Sequence, residues 1–295
     1  MQLDATDVRA GTNASVTSQG VSNAQGVIGG AAASTTIRQS AAPRRLIYGT
    51  VKTGGVLVYG KKTPNEYDLH LACYLGEGPI EGIEPEIYLG DRNSGETQYS
   101  GLVDAEVFTG AAGQTYSTSL AAVSEGEWTA DMVGNGCAWV HTKYTFDRDN
   151  WDLGPVMPAF IVKARLCYDP RSGITPVTST SNAALVILDF IRSPYGYGFK
   201  DSAIDFDSFA TAANICAQVI DSVDPENTVD GVPYKVRRYG INGVFDVDVG
   251  PYKTVQAMLA CCGGVLVRSG GKWRLYVGAY RAPTGRSEEH TSELQ

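Results

Sequence analysis

Histidines beside a nucleophile would be the simplest signature of catalysis in this chain, and histidines are few. The sequence has three of them, His70, His141 and His290. Nucleophilic catalysis needs a Ser, Cys or Thr next to a base, but His70 and His141 lie in the strand-like stretches DLHLACYL and WVHTKY. We interpret both as structural histidines of a sheet. The sequence contains no GxSxG, HExxH, Walker A or GxGxxG pattern, so it indicates no lipase-like, zinc-protease or nucleotide site.

Paired carboxylates are the next candidates, because a glycosidase needs only two of them. Glu77 and Glu81 stand in the loop EGPIEG, while Asp246 and Asp248 alternate along a predicted strand, which would place them on one face. No aromatic subsite pattern surrounds either pair. A peptidoglycan hydrolase is therefore an alternative without a convincing catalytic pair. A carbohydrate-binding module is the second alternative, although the four tryptophans are scattered along the chain.

One cluster of aspartates superficially matches a calcium loop. Asp147, Asp149 and Asp152 occur in FDRDNWDLG. The EF-hand pattern fails, because Trp151 occupies a ligand position and the glycine is misplaced. The sequence predicts no metal and no cofactor, and leaves calcium binding at this loop open.

Composition excludes several broad classes. The net charge of −8 argues against general affinity for nucleic acid, because an acidic surface repels phosphates. The six cysteines have no CxxC spacing, so we expect reduced core residues. There is no run of ~18 apolar residues, and the sequence therefore predicts no membrane-spanning segment.

The pattern of apolar residues predicts an arm followed by two domains. Residues 1–42 are small and polar, which is typical of a flexible N-terminal arm. Residues 43–180 alternate as β-strands do, interrupted by a loop-rich insertion at about 91–136. Residues 181–285 mix helical stripes with a final hairpin that turns at Gly270-Gly271. The predicted fold class is α+β and sheet-rich, with a few packed helices.

Three helices are predicted in the second domain from apolar residues at helical spacing. They are a helix through Ala184, Leu188 and Ile191 that ends at Pro194, a helix from Phe206 to Ile220 with Asp205 or Asp207 as its N-cap, and a helix through Val255, Met258 and Cys262 with Pro251 near its first turn.

The last ten residues have a different origin from the rest. Arg286–Gln295 reads RSEEHTSELQ, which is the translation of a common sequencing adapter in one frame. We interpret this segment as not native and leave it out of the fold argument. The natural chain is then expected to continue beyond Gly285.

Three blocks of the sequence stand out by their motifs and their order. The first is LGEGPIEGI at Leu75–Ile83. The second is Asn182–Gly198, a predicted helix followed by SPYGYG. The third is INGVFDVD to GGKWRLYVGAY, over Ile241–Tyr280. In this order the blocks resemble the lambda-type phage tail tip attachment proteins, the central tail hub or J family, which show an EGPIEG-type loop and a P-R-Y-G-x-G turn in which Tyr195 replaces the arginine here.

The resemblance implies a structural protein rather than an enzyme. It implies small β-barrel-like hub domains and a homotrimer in the virion, at the distal tip of a long non-contractile tail, made in the cytoplasm of the bacterial host. Partners would be copies of the chain itself, distal tail and tape-measure-type tail proteins, and a bacterial surface receptor reached through a missing C-terminal part. The chain would then be an N-terminal fragment.

Within this hypothesis, an interface is expected around the EGPIEG loop and the tyrosine-glycine turn. A Gly/Pro loop can lie flat against another subunit, with its carboxylates available to basic groups, and tyrosines suit surfaces that are partly apolar and partly wet. The predicted interface residues are Arg44, Arg45, Glu77, Pro79, Glu81, Tyr195 and Tyr197.

Overall fold

The structure is a computed structural model that describes residues 42–63, 67–147, 149, 157–172, 174–221, 228–229, 232–233 and 235–279. The predicted arm up to residue 41, Asp152 of the aspartate loop, and the adapter-like tail lie outside these residues.

Strands dominate the first half of the chain, and most of the helices lie in the second half together with shorter strands. The strands are β1 (Arg45–Tyr48), β2 (Thr50–Thr53), β3 (Val56–Lys62), β4 (Asp68–Glu77), β5 (Ile80–Leu89), β6 (Arg92–Asn93), β7 (Val103–Thr109), β8 (Cys137–Thr145), β9 (Pro158–Asp169), β10 (Ile174–Ser179), β11 (Val219–Asp221), β12 (Thr228–Val229), β13 (Val232–Pro233), β14 (Lys235–Arg237), β15 (Gly243–Asp246), β16 (Val265–Ser269) and β17 (Lys272–Tyr276). The α-helices are α1 (Thr118–Val123), α2 (Ala183–Arg192), α3 (Phe206–Cys216) and α4 (Pro251–Ala260), and short 3₁₀ turns lie at Thr97–Tyr99, Asp201–Ala203 and Val247–Val249.

Two antiparallel sheets form the first half of the molecule. One has the order β3-β4-β8-β7, and the other has β10-β9-β5-β6 with β2 also paired to β9. Their apolar faces share one core, in which Leu75 of β4, Ile87 of β5 and Phe160 of β9 are almost completely buried. The alternation of apolar residues along β4 and β9 predicts this face, because side chains two apart share one side of a strand.

The second half packs its helices into a separate core. Helix α2 is buried on nearly every side, between α3, α4 and strand β9, and the hairpin β16-β17 packs on α3 through β17. Strand β1 joins the two cores, since Leu46 and Tyr48 enter the helical core while Ile47, pointing the other way, enters the sheet core. Its partner is β15, with Arg45 opposite Asp246.

The predicted fold class is confirmed. The structure is sheet-rich with a few helices and includes a curled half-barrel sheet. The final hairpin turns at Gly270-Gly271, as predicted, and Gly54-Gly55 separates β2 from β3. Asp205, rather than Asp207, caps α3 by accepting a hydrogen bond from the Ser208 N–H. The described helices include none long and apolar enough to cross a bilayer.

Three local predictions were wrong. The EGPIEG loop is shorter than expected, because β5 already begins at Ile80 and pairs with β9 from that residue. Ile220 lies in β11 rather than in helix α3, which ends at Cys216. Asp246 ends β15 and Asp248 lies in a 3₁₀ turn, so the two aspartates do not alternate along one strand.

The predicted insertion at about 91–136 contains more regular structure than its composition indicates. Strand β7 forms the edge of the four-stranded sheet, and α1 packs on the face of that sheet opposite the main core. The division into domains 43–180 and 181–285 stays a prediction.

Candidate interaction surface

Glu77 is the centre of a polar cluster at the end of β4. Its carboxylate accepts hydrogen bonds from the Tyr195 hydroxyl at 2.7 Å and the Tyr74 hydroxyl at 2.9 Å, and from Nη1 of Arg44 at 3.2 Å. Nη1 of Arg44 also donates to the Tyr195 hydroxyl at 2.8 Å. Only 5% of Glu77 is exposed. The basic group expected from another subunit is therefore supplied by Arg44 of the same chain.

The ionised and hydroxyl groups of this cluster stabilise one another's protonation states. The Glu77 carboxylate raises the pKa of Arg44 because it favours the charged guanidinium. Burial, together with the same carboxylate, raises the pKa of Tyr195, so its hydroxyl stays protonated and able to donate. Arg44 itself remains 61% exposed, and its guanidinium lies 5.8 Å from the centre of the Tyr195 ring. The cluster therefore presents a positive, partly aromatic surface above a buried anion.

A bulge in β4 explains why Tyr74 was not predicted as part of this cluster. Residues three apart on a regular strand point to opposite faces. The pairing with β8 shifts register between Tyr74 and Gly76, which brings Tyr74 and Glu77 to the same side. The sequence carries no clear signal for such a bulge.

The turn after Glu77 is closely fitted to its surroundings. A Cβ at Gly78 would lie 2.5 Å from the Thr109 carbonyl oxygen, so only glycine fits there. The Gly78-Pro79 peptide is cis. Nη1 of Arg165 donates to the Gly78 carbonyl at 3.0 Å. Pro79 itself is exposed, as a residue of a contact surface would be.

Arg165 ties this turn to helix α2. Its Nε donates to Asp189 at 2.8 Å, and the hydroxyl of buried Tyr48 donates to the same carboxylate oxygen at 2.7 Å. Burial, the largest single effect, opposes the charge on Arg165, but the Asp189 carboxylate and the Tyr48 hydroxyl together outweigh it, and the pKa of Arg165 is raised. The EGPIEG loop and the helix-and-turn block are thus joined by two polar networks. The sequence did not predict the roles of Arg165, Asp189 and Tyr48 in this network, because none of them was singled out by a motif.

Two further predicted interface residues have partners within the chain. Glu81 is exposed and accepts hydrogen bonds from the Ser179 N–H at 3.0 Å and hydroxyl at 2.9 Å. These bonds, the backbone one first, lower the pKa of Glu81. Arg45 forms a cross-strand ion pair with Asp246 at 3.4 Å. Neither contact prevents the outer surface from meeting another subunit.

The tyrosine-glycine turn holds its shape because glycine is required at two positions. A Cβ at Gly196 would lie 1.9 Å from the Phe190 carbonyl oxygen, and Gly198 has a φ of +61°. Both backbone N–H groups donate to the Ser193 carbonyl, which closes the turn after α2. The turn presents Tyr195 towards Glu77, while Tyr197 is 37% exposed.

Tyr197 begins a row of parallel aromatic rings. Its ring stacks on Phe199 at 5.0 Å, and Phe199 stacks on Trp273 at 5.1 Å, each pair within 9° of parallel. The Tyr252 side chain, 68% exposed, is close enough to contribute to the raised pKa of Tyr197, of which burial is the main cause. The fold thus places Trp273 beside two other rings, and elsewhere it brings Trp128 within 5.3 Å of Trp139, measured between ring centres.

The two described histidines meet inside the four-stranded sheet. Nδ1 of His70 lies 2.9 Å from Nε2 of His141. Nδ1 of His141 faces both Glu106, at 3.1 Å, and the Ser119 hydroxyl, at 3.2 Å. A catalytic triad needs the serine and the carboxylate on opposite nitrogens of the imidazole, whereas here both lie at the same nitrogen.

The cysteines are free thiols, as predicted, and all except Cys137 are buried. Burial raises the pKa of Cys73 to about 12 and that of Cys216 to about 11, so these thiols stay protonated and unreactive. Among the residues that the structure describes, there is no group of three His, Cys, Asp or Glu side chains able to hold a metal ion.

Comparison with known proteins gives a fold relationship. No protein-family model matches the chain, and no curated protein matches it. Among solved structures, it is similar to a chain in the virion of a native gene transfer agent particle, with a TM-score of 0.51 and 17% sequence identity. The match covers 84% of this chain and 55% of that chain, so the protein spans about half of the longer one. The two share a fold, and the fold is one found in a virion particle.

Proposed function

We propose that this protein is a structural component of a phage tail tip, the N-terminal part of a central tail hub of the lambda type. Three copies would close the distal end of the tail, contact the distal tail and tape-measure-type proteins, and position the parts that recognise the host receptor. In this role the chain works by binding other proteins, without catalysis.

The fold likeness to a chain of the gene transfer agent virion carries the proposal, because it spans 84% of this chain. The ordered sequence blocks supply the finer assignment to the tail tip. Two of those blocks touch in space through Glu77 and Tyr195, 118 residues apart. This contact supports a common structural purpose for the two motifs.

The surface proposed for the contact between copies comprises Arg44, Pro79, Glu81 and Tyr197. All four are exposed, and they lie on or beside two turns that the Glu77 and Arg165 networks hold rigidly. A rigid surface loses little conformational entropy on binding, which favours association.

The first experiment is the mass of the 295-residue chain in solution by light scattering after size exclusion. We expect a trimer, at three times the 31.4 kDa of one chain. Replacing Tyr197 by Glu should weaken the trimer by placing a charge in the contact. A monomer at all concentrations, in a chain that is folded by circular dichroism, would contradict trimerisation by this part of the protein.

A matched control is Tyr67→Glu. Tyr67 is also an exposed tyrosine, 61% accessible, but it precedes β4, whereas Glu77 ends that strand. The two ends of a ten-residue strand are ~30 Å apart. Tyr67→Glu should leave the mass unchanged, and equal loss of trimer in both variants would place the contact elsewhere.

The peptidoglycan hydrolase and the carbohydrate-binding module remain distinct alternatives with their own assays. A zymogram on cell-wall material would reveal the first. A glycan pull-down would reveal the second, for which the row of Tyr197, Phe199 and Trp273 is the surface to mutate. Activity in either assay would replace the structural proposal.

A further inference from the structure

Two buried imidazoles share a hydrogen bond on the face of the four-stranded sheet that packs against α1. His70 on β4 and His141 on β8 are 4% and 3% exposed. Their rings are nearly parallel, with centres 5.2 Å apart, and Nδ1 of His70 lies 2.9 Å from Nε2 of His141. Within the described part of the chain, Nε2 of His70 has no hydrogen-bond partner.

Charged residues surround this pair on every strand of the sheet. Lys61 and Lys143 are the cross-strand partners of His70, and Glu106 is the partner of His141. The charged groups that face the pair are Lys61 of β3, Asp68 of β4, Glu106 of β7 and Lys143 of β8, with Glu125 and Glu127 behind Lys61 in the loop after α1.

The hydrogen bond between the imidazoles fixes their protonation. One nitrogen must donate and the other must accept. Because Glu106 lies 3.1 Å from Nδ1 of His141, the proton of that ring belongs on Nδ1, and its Nε2 accepts from Nδ1–H of His70. Adding one proton from water to Nε2 of each ring would turn two N–H groups towards each other, and the hydrogen bond would be lost.

The same cluster holds α1 against the sheet. The Ser117 hydroxyl donates to Glu106 and accepts from the Leu120 N–H, so it is both the N-cap of α1 and a partner of the carboxylate. The Ser119 hydroxyl lies 3.2 Å from Nδ1 of His141. Leu120, fully buried, is the apolar contact of the helix with the sheet.

Beyond Leu120, the same segment covers an aromatic cluster. The Trp139 ring is 4% exposed and stacks on Phe108, with centres 3.9 Å apart. Trp128, from the loop after α1, lies 5.3 Å from Trp139 and 5.5 Å from Tyr59, measured between ring centres. Movement of α1 and this loop would therefore expose tryptophan.

We propose that His70, His141, Glu106 and Ser117 form a pH-sensitive latch. Protonation of both imidazoles in mildly acidic solution breaks their hydrogen bond, and the segment 117–128 separates from the sheet while the remaining core stays folded.

The direction of the pH dependence follows from the thermodynamic linkage between proton binding and opening of the latch. Burial, followed by the effect of His141, lowers the pKa of His70 below its ordinary value. The open state therefore binds protons more readily than the closed state. The closed state keeps its full stability above the ordinary histidine pKa of ~6.5 and loses it as the pH falls below that value.

The test follows tryptophan exposure in the complete chain between pH 8 and 4.5, by emission and acrylamide quenching. We expect a reversible increase in quenching below about pH 6.5 with helical circular dichroism retained. Hydrogen exchange at pH 7.5 and 5, corrected for intrinsic rates, should show lost protection confined to residues 117–128 and their strand contacts. Unchanged quenching and protection down to pH 5 would overturn the latch.

Two variants test whether the acid-induced exposure of tryptophan depends on the His70–His141 pair. His70→Gln can still donate from its amide to His141 but does not titrate, so exposure between pH 6.5 and 5 should be abolished. His290→Gln removes the one histidine outside the described residues and should leave the transition unchanged. A transition that persists in His70→Gln, or that disappears in His290→Gln, would overturn the proposal. If His70→Gln fails to fold at pH 7.5, the exchange measurement on the unchanged chain decides.

Discussion

At the scale of single residues, the Glu77 cluster gives a direct test of whether the two sequence blocks stabilise each other. Tyr195→Phe removes the hydroxyl that donates to buried Glu77 at 2.7 Å and accepts from Arg44. Hydrogen bonds to charged groups contribute more than neutral ones, so we expect a loss of about 1.5 kcal/mol in the free energy of unfolding. Urea denaturation measures it.

Tyr197→Phe is the matched control for that substitution. Tyr197 lies two residues further along the same turn and is exposed. Loss of its hydroxyl should change stability by less than about 0.5 kcal/mol, as is usual at the surface. If Tyr195→Phe and Tyr197→Phe have the same free energy of unfolding, the Tyr195 hydroxyl adds nothing to the stability that its ring provides.

At the scale of elements, the turn after α2 depends on two glycines for different reasons. Gly196→Ala places a Cβ against the Phe190 carbonyl, a backbone atom that cannot move without distorting the helix end. Gly198→Ala meets open space but must adopt a φ of +61°. We expect a cost of about 1 kcal/mol for Gly198→Ala and at least about 2 kcal/mol for Gly196→Ala.

Thermal unfolding of both variants, monitored by circular dichroism, measures this difference. Because Gly196 and Gly198 lie in one turn, each variant serves as the control for the other. A larger effect from Gly198→Ala would mean that the close approach at Gly196 relaxes freely, and that backbone conformation alone fixes the turn.

At the scale of the whole molecule, β1 makes the two cores depend on each other. Leu46, fully buried, lies in the helical core, and the adjacent Ile47 lies in the sheet core. Leu46→Ala and Ile47→Ala should each cost about 2–5 kcal/mol. Both should lower one common unfolding midpoint, seen equally by tryptophan fluorescence and by circular dichroism.

Separate transitions would contradict this expectation. If Leu46→Ala shifted only one of two resolved steps, the cores would unfold independently and β1 would not couple them. That result would favour the predicted boundary near residue 180 as a true domain boundary. Coincident transitions would show that the boundary near residue 180 separates two blocks of sequence but not two independently unfolding units.

Local patterns were sufficient to predict many elements. The stripe of Ala184, Leu188 and Ile191 predicts α2, and Pro251 marks the first turn of α4, because helical spacing and the fixed φ of proline act within a few residues. Ile220 fits the stripe of α3 by spacing but lies in β11, paired with Val236. Sequence spacing cannot detect a partner strand that arrives 16 residues later.

The interface named from motifs stays a prediction, although two of its residues, Glu77 and Tyr195, contact each other. That Glu77 is buried against Arg44 was not predicted, because burial depends on how the end of β4 meets the turn after α2. The contact between His70 and His141 was likewise hidden, since it depends on the register between β4 and β8.

By itself, the sequence determined the fold class, the positions of the three main helices α2, α3 and α4, and the final turn at Gly270-Gly271. These follow from side-chain periodicity and backbone conformation, which are local properties. Only the tertiary structure decided which charges are neutralised within the chain, which rings stack, and that β1 serves two cores. Those features are contacts between residues far apart in sequence, and their free energy arises only once strand register and helix packing have brought the groups together.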